Sequence, residues 1–226
     1  MRRDLFVTGG TGYLGRPLIA ALLTRGHAVH ALARERSAPR VPDGARVIVG
    51  DALDASTYAD RVPNGCTFVH LVGVAHPGPG KAREFEAIDL ASVRESVAAA
   101  RTAGAAHFVY VSVAHPAPVM RAYIAARLAG EALLATSGLP ATILRPWYVL
   151  GPGHRWPYAL LPVYALLERL PATRDAALRL GLVTRAQMIA ALVNAAEREP
   201  LGTFVMDVTA IRNASMGRNS TYSSGP

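Results

Sequence analysis

Seven residues constrain the fold more than any other part of the chain. Gly9-Gly10-Thr11-Gly12-Tyr13-Leu14-Gly15 follows a short apolar run, Leu5-Phe6-Val7, and precedes a segment whose Leu14, Leu18, Ile19, Leu22 and Leu23 recur at helical spacing. Strand, glycine turn and helix in immediate succession make a cradle for a pyrophosphate. Gly9 permits the tight turn, Gly12 lets phosphate approach the backbone, and Gly15 lets helix and strand pack closely. The free N–H groups and positive dipole end of the helix then face the anion. Gly9, Gly10, Thr11, Gly12, Tyr13, Leu14 and Gly15 are therefore candidate cofactor-binding residues.

The same alternation continues along the chain. Strands are expected over 4–8, 28–33, 45–49, 67–72, 107–111, 141–144 and 203–208. Helices are expected over 12–24, 82–103, 156–170 and 187–198, with another begun by Pro118 and closed by Gly138. Short apolar runs alternating with amphipathic helices predict an α/β Rossmann fold, a doubly wound parallel sheet with helices on both faces. The chain is expected to form one NAD(P)-binding domain over 4–208, with 147–182 as a small C-terminal substrate-side insertion. Residues 213–226, rich in Ser, Asn, Thr and Gly, carry no apolar period and are expected to be a mobile tail.

Composition removes several function classes. The 226 residues carry a formal net charge of +8, but Lys81 is the only lysine and the arginines are scattered without a basic tract. No nucleic-acid partner is expected. One cysteine, Cys66, excludes an internal disulfide and a Cys-rich zinc site. The seven histidines show no metal-ligand spacing, so no metal is expected. The apolar run over 156–167 is short and interrupted by Pro157 and Pro162, so no membrane span is expected and the default location is cytoplasmic. A small-molecule substrate is the expected partner, with the protein a monomer or a homodimer.

Further motifs follow in order: Gly50-Asp51 after the third strand, Tyr110-Val111-Ser112 after the fifth, Tyr123 with Arg127 four residues on, and Leu144-Arg145-Pro146 after the sixth. With Thr8-Gly9-Gly10-Thr11-Gly12-Tyr13-Leu14-Gly15, this series resembles the short-chain dehydrogenase/reductase superfamily. The likeness covers roughly residues 4–208 and is to the extended and atypical branches, which include epimerase/dehydratase-like proteins, NmrA-like proteins and the nucleotide-binding accessory subunit of respiratory complex I. The resemblance implies that Asp51, Ala52, Leu71, Val72, Gly73, Arg127 and Pro146 line the dinucleotide site, with Arg127 holding the nicotinamide ribose. It also implies a catalytic set of Ser112 to orient a carbonyl, Tyr123 as general acid/base and Arg127 beside it. Arg127 stands where the superfamily carries lysine; it keeps the cation but is bulkier and cannot relay a proton.

Arg34 decides the expected cofactor. Ala33 occupies the place of an NAD-selecting acid, and Arg34 follows with a planar fork suited to a 2′-phosphate, so NADP is favoured and NAD is less likely. His76 and His115, each before a proline in a loop, and Trp147, His154 and Trp156 are candidate substrate-lining residues. The resulting expectation is an NAD(P)-dependent oxidoreductase of a small carbonyl or quinone-like compound. Its rivals are a non-catalytic NADP-binding sensor or assembly subunit, and an NAD-dependent epimerase/dehydratase.

Overall fold

A computed structural model describes residues 2–75, 77–152 and 161–214. In chain order the first elements are β1 (Asp4–Thr8), α1 (Gly15–Thr24), β2 (Ala28–Ala33), a 3₁₀ turn (Glu35–Arg40), β3 (Arg46–Val49), two short 3₁₀ turns and β4 (Thr67–His70). A helical stretch follows, made of α2 (Ala82–Glu84), a π-helical segment (Phe85–Leu90) and α3 (Ala91–Thr102). Next come β5 (His107–Val111), α4 (Arg121–Ser137), β6 (Ala141–Leu144), β7 (Tyr148–Leu150), α5 (Leu161–Leu167) and α6 (Arg174–Arg179). The described chain closes with β8 (Leu182–Thr184), α7 (Arg185–Glu197), β9 (Thr203–Met206) and α8 (Val208–Asn213).

Seven strands form one all-parallel sheet in the order β3-β2-β1-β4-β5-β6-β9. This is the doubly wound Rossmann arrangement. Helices cover both faces of its centre, which is why β1, β4, β5 and β6 are buried almost end to end, whereas the edge strands β3 and β9 stay largely open to solvent. Along β1, Leu5 and Val7 join the layer that contains Leu18, Leu22, Met188 and Leu192 from α1 and α7. Phe6 joins the opposite layer with Val93, Val97 and Leu134 from α3 and α4. In that layer the rings of Tyr58, Phe6, Phe68 and Phe108 run in series, with successive centroids 5.8, 5.1 and 5.1 Å apart.

The structure moves several expected boundaries. β4 ends at His70, and Leu71–Ala75 leave the sheet as a loop. α4 begins at Arg121 rather than Pro118, because Met120 has φ +61° and a right-handed helix cannot run through it. The expected helix over 82–103 contains the π-helical segment, which no spacing signal foretold. β7 and β8 pair as a separate two-stranded parallel sheet within the small C-terminal region. Asn213 ends α8, whereas residues 215–226 of the expected tail lie outside the described residues. Among the described residues no helix is long and apolar enough to cross a membrane, and no cluster of three metal-ligating side chains occurs.

Candidate functional site

A cleft runs across the carboxyl ends of β1 to β4. There the chain order reverses between β1 and β4, the position at which doubly wound sheets open a ligand crevice. Its wider half is a cavity of about 600 Å³ bordered by the glycine turn, the end of β2 and the Gly50–Leu53 turn. Its narrower half, about 370 Å³, lies between the glycine turn, Tyr123 and the Pro146–Val149 segment. Gly9, Gly12, Leu71, Gly73, Val74 and Ala75 border both halves, so the two are one continuous groove.

The glycines serve different purposes. A Cβ on Gly9, whose φ is +71°, would lie 2.8 Å from the carbonyl carbon of Leu71, and one on Gly15 would lie 2.2 Å from the Gly9 oxygen. Both positions demand glycine so that the turn can wind tightly against its neighbours. Gly10 is buried, and a Cβ there would meet the Ile19 side chain at 2.8 Å, which makes it a packing position. Gly12 differs: within 4 Å a Cβ would meet only the Gly9 oxygen, at 3.1 Å, and the residue is exposed. Open space beside Gly12, at the N-terminus of a ten-residue helix, is a cradle that suits a pyrophosphate.

In the wider half, Arg34 is exposed at the end of β2 and makes no ion pair among the described residues. Ser37 and Arg40, from the 3₁₀ turn that Arg34 caps, line the same cavity. Arg40 also donates from Nη2 to the Thr11 oxygen at 3.3 Å, tying that turn to the glycine turn. Asp51 and Ala52 line the opposite wall. Part of Asp51 is already engaged, since its Oδ1 accepts from the Leu53 amide at 3.1 Å.

The narrower half contains Ser112, Tyr123 and Arg127 together, with Pro146 and Trp147 beside them. Their partners, however, are internal. Arg127 is buried; its Nη2 lies 2.6 Å from Asp89 Oδ1 and its Nη1 donates to the Val111 oxygen at 2.9 Å. The guanidinium sits over the rings of Tyr123 and Tyr110, 5.2 and 5.9 Å from their centroids. It also lies so near Gly73 that a Cβ there would come within 2.2 Å of Nη2. Burial works against the Arg127 charge, but Tyr123, Tyr110 and Asp89 outweigh it and hold its pKa above the ordinary arginine value. Asp89 is itself pushed up by burial, against the opposing pull of Arg127 and the Val74 amide.

Ser112 is equally committed. Its Oγ donates to Glu131 Oε1 at 2.5 Å, and Arg145 grips the same carboxylate with hydrogen bonds of 3.0 and 2.5 Å. A hydroxyl has one proton, and this one goes to Glu131 rather than toward a carbonyl in the groove. Below the junction of the two halves, the buried His70 ring meets Thr8 and Ser96 through Nδ1, each at 3.0 Å, and Ser92 through Nε2 at 3.4 Å. Burial, and next the charge of Arg127, depress its pKa to about 3.

The remaining expected residues divide. Leu71, Val72 and Gly73 border the groove, Tyr13 and Leu14 line its narrower half, and Trp147 lies there too. His115 is half-buried in the loop after β5 and is not among the residues lining either half. His76, His154 and Trp156 lie outside the described residues. Asp89, Glu131 and Arg145 escaped assignment. Glu131 carried a signal, because it follows Tyr123 and Arg127 at intervals of four on one face of α4. Asp89 carried a weaker one, an acid four residues from both Phe85 and Val93 on an otherwise apolar stripe.

Residues 9–159 match a family described as NAD(P)H-binding. A ceramide reductase of Caulobacter vibrioides is 32% identical over 171 residues, covering 73% of this chain and 52% of the relative. A 3-diazoavenalumate denitrifying reductase of a Streptomyces species is 36% identical over 187 residues, covering 80% of this chain and 54% of the relative. A divinyl chlorophyllide a 8-vinyl-reductase of Oryza sativa subsp. indica is 39% identical over 119 residues, covering 48% of this chain and 29% of the relative. The chain thus spans about half the length of these curated relatives, or less. Among solved structures, the Bordetella bronchiseptica enzyme WbmH in complex with NAD+ superposes with a TM-score of 0.67 at 19% identity, covering 92% of this chain and 76% of that one. At that identity the likeness concerns the fold.

Proposed function

Because the chain belongs to the NAD(P)H-binding family, within the short-chain dehydrogenase/reductase superfamily, we propose that it is an NADPH-dependent reductase of a small, apolar carbonyl or quinone-like compound. The observation that carries the reading is the single groove that joins the open glycine turn to Tyr123. Gly12 and the start of α1 would receive the pyrophosphate, with Asp51 and Ala52 beside the adenine. Arg34, supported by Ser37 and Arg40, would receive the 2′-phosphate where Ala33 leaves no competing acid. Gly73, Pro146 and Arg127 would border the nicotinamide end, and Tyr123, Trp147 and Val149 would make an apolar wall for the substrate. The reductase names of the relatives support the same reaction class.

When bound, the reduced nicotinamide supplies a hydride to the substrate carbon. Tyr123 donates its phenolic proton to the substrate oxygen and regains one from solvent. Arg127, held over the Tyr123 ring, keeps that ring in place, and Trp147 with Pro146 limits water at the reacting end. A panel of quinones, aromatic ketones and aliphatic ketones, each with NADPH, tests the proposal. Turnover is expected for at least one apolar class, and Tyr123→Phe, which deletes only the hydroxyl, should lower kcat about 10²–10⁴-fold with NADPH binding intact.

A second reading has its own observation. The Ser112 proton is given to Glu131, and Arg127 is neutralised by Asp89, so two members of the expected catalytic set are engaged elsewhere. A protein that binds NADPH without turning over substrate is consistent with this. It prevails if NADPH binds but no compound in the panel is reduced.

A further inference from the structure

Asp89 has no place in the proposed reaction, yet it is a completely buried carboxylate with two specific partners. Oδ1 lies 2.6 Å from Arg127 Nη2, and Oδ2 accepts from the Val74 amide at 3.0 Å. The side chains of Asp89 and Arg127 are 0% and 7% exposed, so each is neutralised chiefly by the other. Asp89 also sits within the π-helical segment, a rare irregularity that is frequent at functional sites. Arg127, Gly73 and Val74 line the narrower half of the groove. A charge at Arg127 therefore acts directly on whatever occupies that half.

We propose that Asp89 is a positioning residue that cancels the Arg127 charge and thereby sets the balance between oxidised and reduced cofactor in the groove. This rests on the reading that the nicotinamide ring lies in the narrower half. Oxidised nicotinamide carries a positive ring and reduced nicotinamide does not. A bare guanidinium beside the ring would repel only the oxidised form, whereas the Asp89–Arg127 pair is neutral as a unit and lets both forms bind. The pair thus leaves the spent cofactor no electrostatic reason to depart early.

The test is the ratio of dissociation constants for NADP+ and NADPH, measured by calorimetry and by nicotinamide fluorescence, with folding followed by circular dichroism. Asp89→Asn keeps an acceptor for the Val74 amide and removes the charge. It is expected to raise the NADP+/NADPH ratio about tenfold, the size of a single uncompensated charge acting through a partly solvated groove. Asp89→Asn/Arg127→Gln removes both charges and should return the ratio to the wild-type value, a rescue that a purely structural role would not produce. Should Asp89→Asn alone fail to fold, Asp89→Asn/Arg127→Lys carries the same unpaired charge on a more compliant stem and should raise the ratio likewise.

A wild-type ratio in a folded Asp89→Asn or Asp89→Asn/Arg127→Lys protein overturns the proposal, and so does a raised ratio that persists in the Asn/Gln variant. Either result leaves the reductase reading standing. Wild-type protein that binds neither form overturns both.

Discussion

The two halves of the groove are built on opposite electrostatic plans. In the wider half, Arg34 and Arg40 stand exposed, and the glycine turn offers backbone rather than side chains. In the narrower half, Arg127 and Ser112 line the groove but are already matched by buried or half-buried groups behind it: Arg127 by Asp89, and the Ser112 hydroxyl by Glu131, which also pairs with Arg145. Exposed cations cost the fold little and keep their charge for a ligand. Buried pairs give up most of their external charge and hold side chains in fixed places instead. One half is therefore suited to capture an anion, and the other to align a ring and a proton donor.

The contrast can be broken most sharply at Arg127. Arg127→Ala strands Asp89 without its counterion inside the fold and should lower unfolding stability by about 3–5 kcal/mol in a urea titration. The same change at Arg34 should cost less than about 0.5 kcal/mol, because it lies on the surface away from any packed feature. Equal effects at the two sites would erase the distinction drawn between the halves.

His70 extends the buried half downward and makes stability depend on pH. Its folded pKa of about 3 lies below the ordinary value of 6.5, so between those values the unfolded chain takes up a proton that the folded one refuses. The contribution is full above pH 6.5 and is lost as pH falls toward 3. A loss on the order of 3 kcal/mol is expected by pH 4. His107, depressed to about 4 by burial and by the nearby charges of Arg3 and Arg198, acts in the same direction. Urea unfolding at a series of pH values on wild type and His70→Gln checks this, and the variant should show a visibly flatter acid limb.

Effects on binding follow in the wider half. Gly12→Val places a branched side chain where the backbone must meet phosphate and should weaken NADPH binding about 100-fold or more, with the circular dichroism spectrum unchanged. Arg34→Ala should be gentler: about tenfold for NADPH, from the loss of a charge-assisted contact, with NADH unaffected.

These two halves were also unequally legible in the sequence. The strand–glycine–helix succession around Gly9, Gly12 and Gly15 is local, so spacing alone exposes it, and Arg34 is adjacent to the strand whose end it marks. The sheet follows from the same local rhythm of apolar runs. The pairings of the narrower half are not local: Asp89 and Arg127 are 38 residues apart, and the salt bridge forms only once α4 packs beside the π-helical segment. Tyr123, Ser112 and Arg127 could be named from the resemblance to the superfamily, but no spacing reveals that Ser112 donates to Glu131. Met120 shows the same limit on a smaller scale, since its positive φ delays α4 past the proline that would otherwise have begun it.

The central claim is that this groove is a dinucleotide site whose exposed arginine end selects the 2′-phosphate. Parallel fluorescence titrations of wild-type protein with NADPH and with NADH test it directly. The account predicts that both bind, NADPH about tenfold more tightly, from a charge-assisted contact of about 1.5 kcal/mol. Equal affinities would contradict the role given to Arg34, and the absence of binding by either would contradict the site itself.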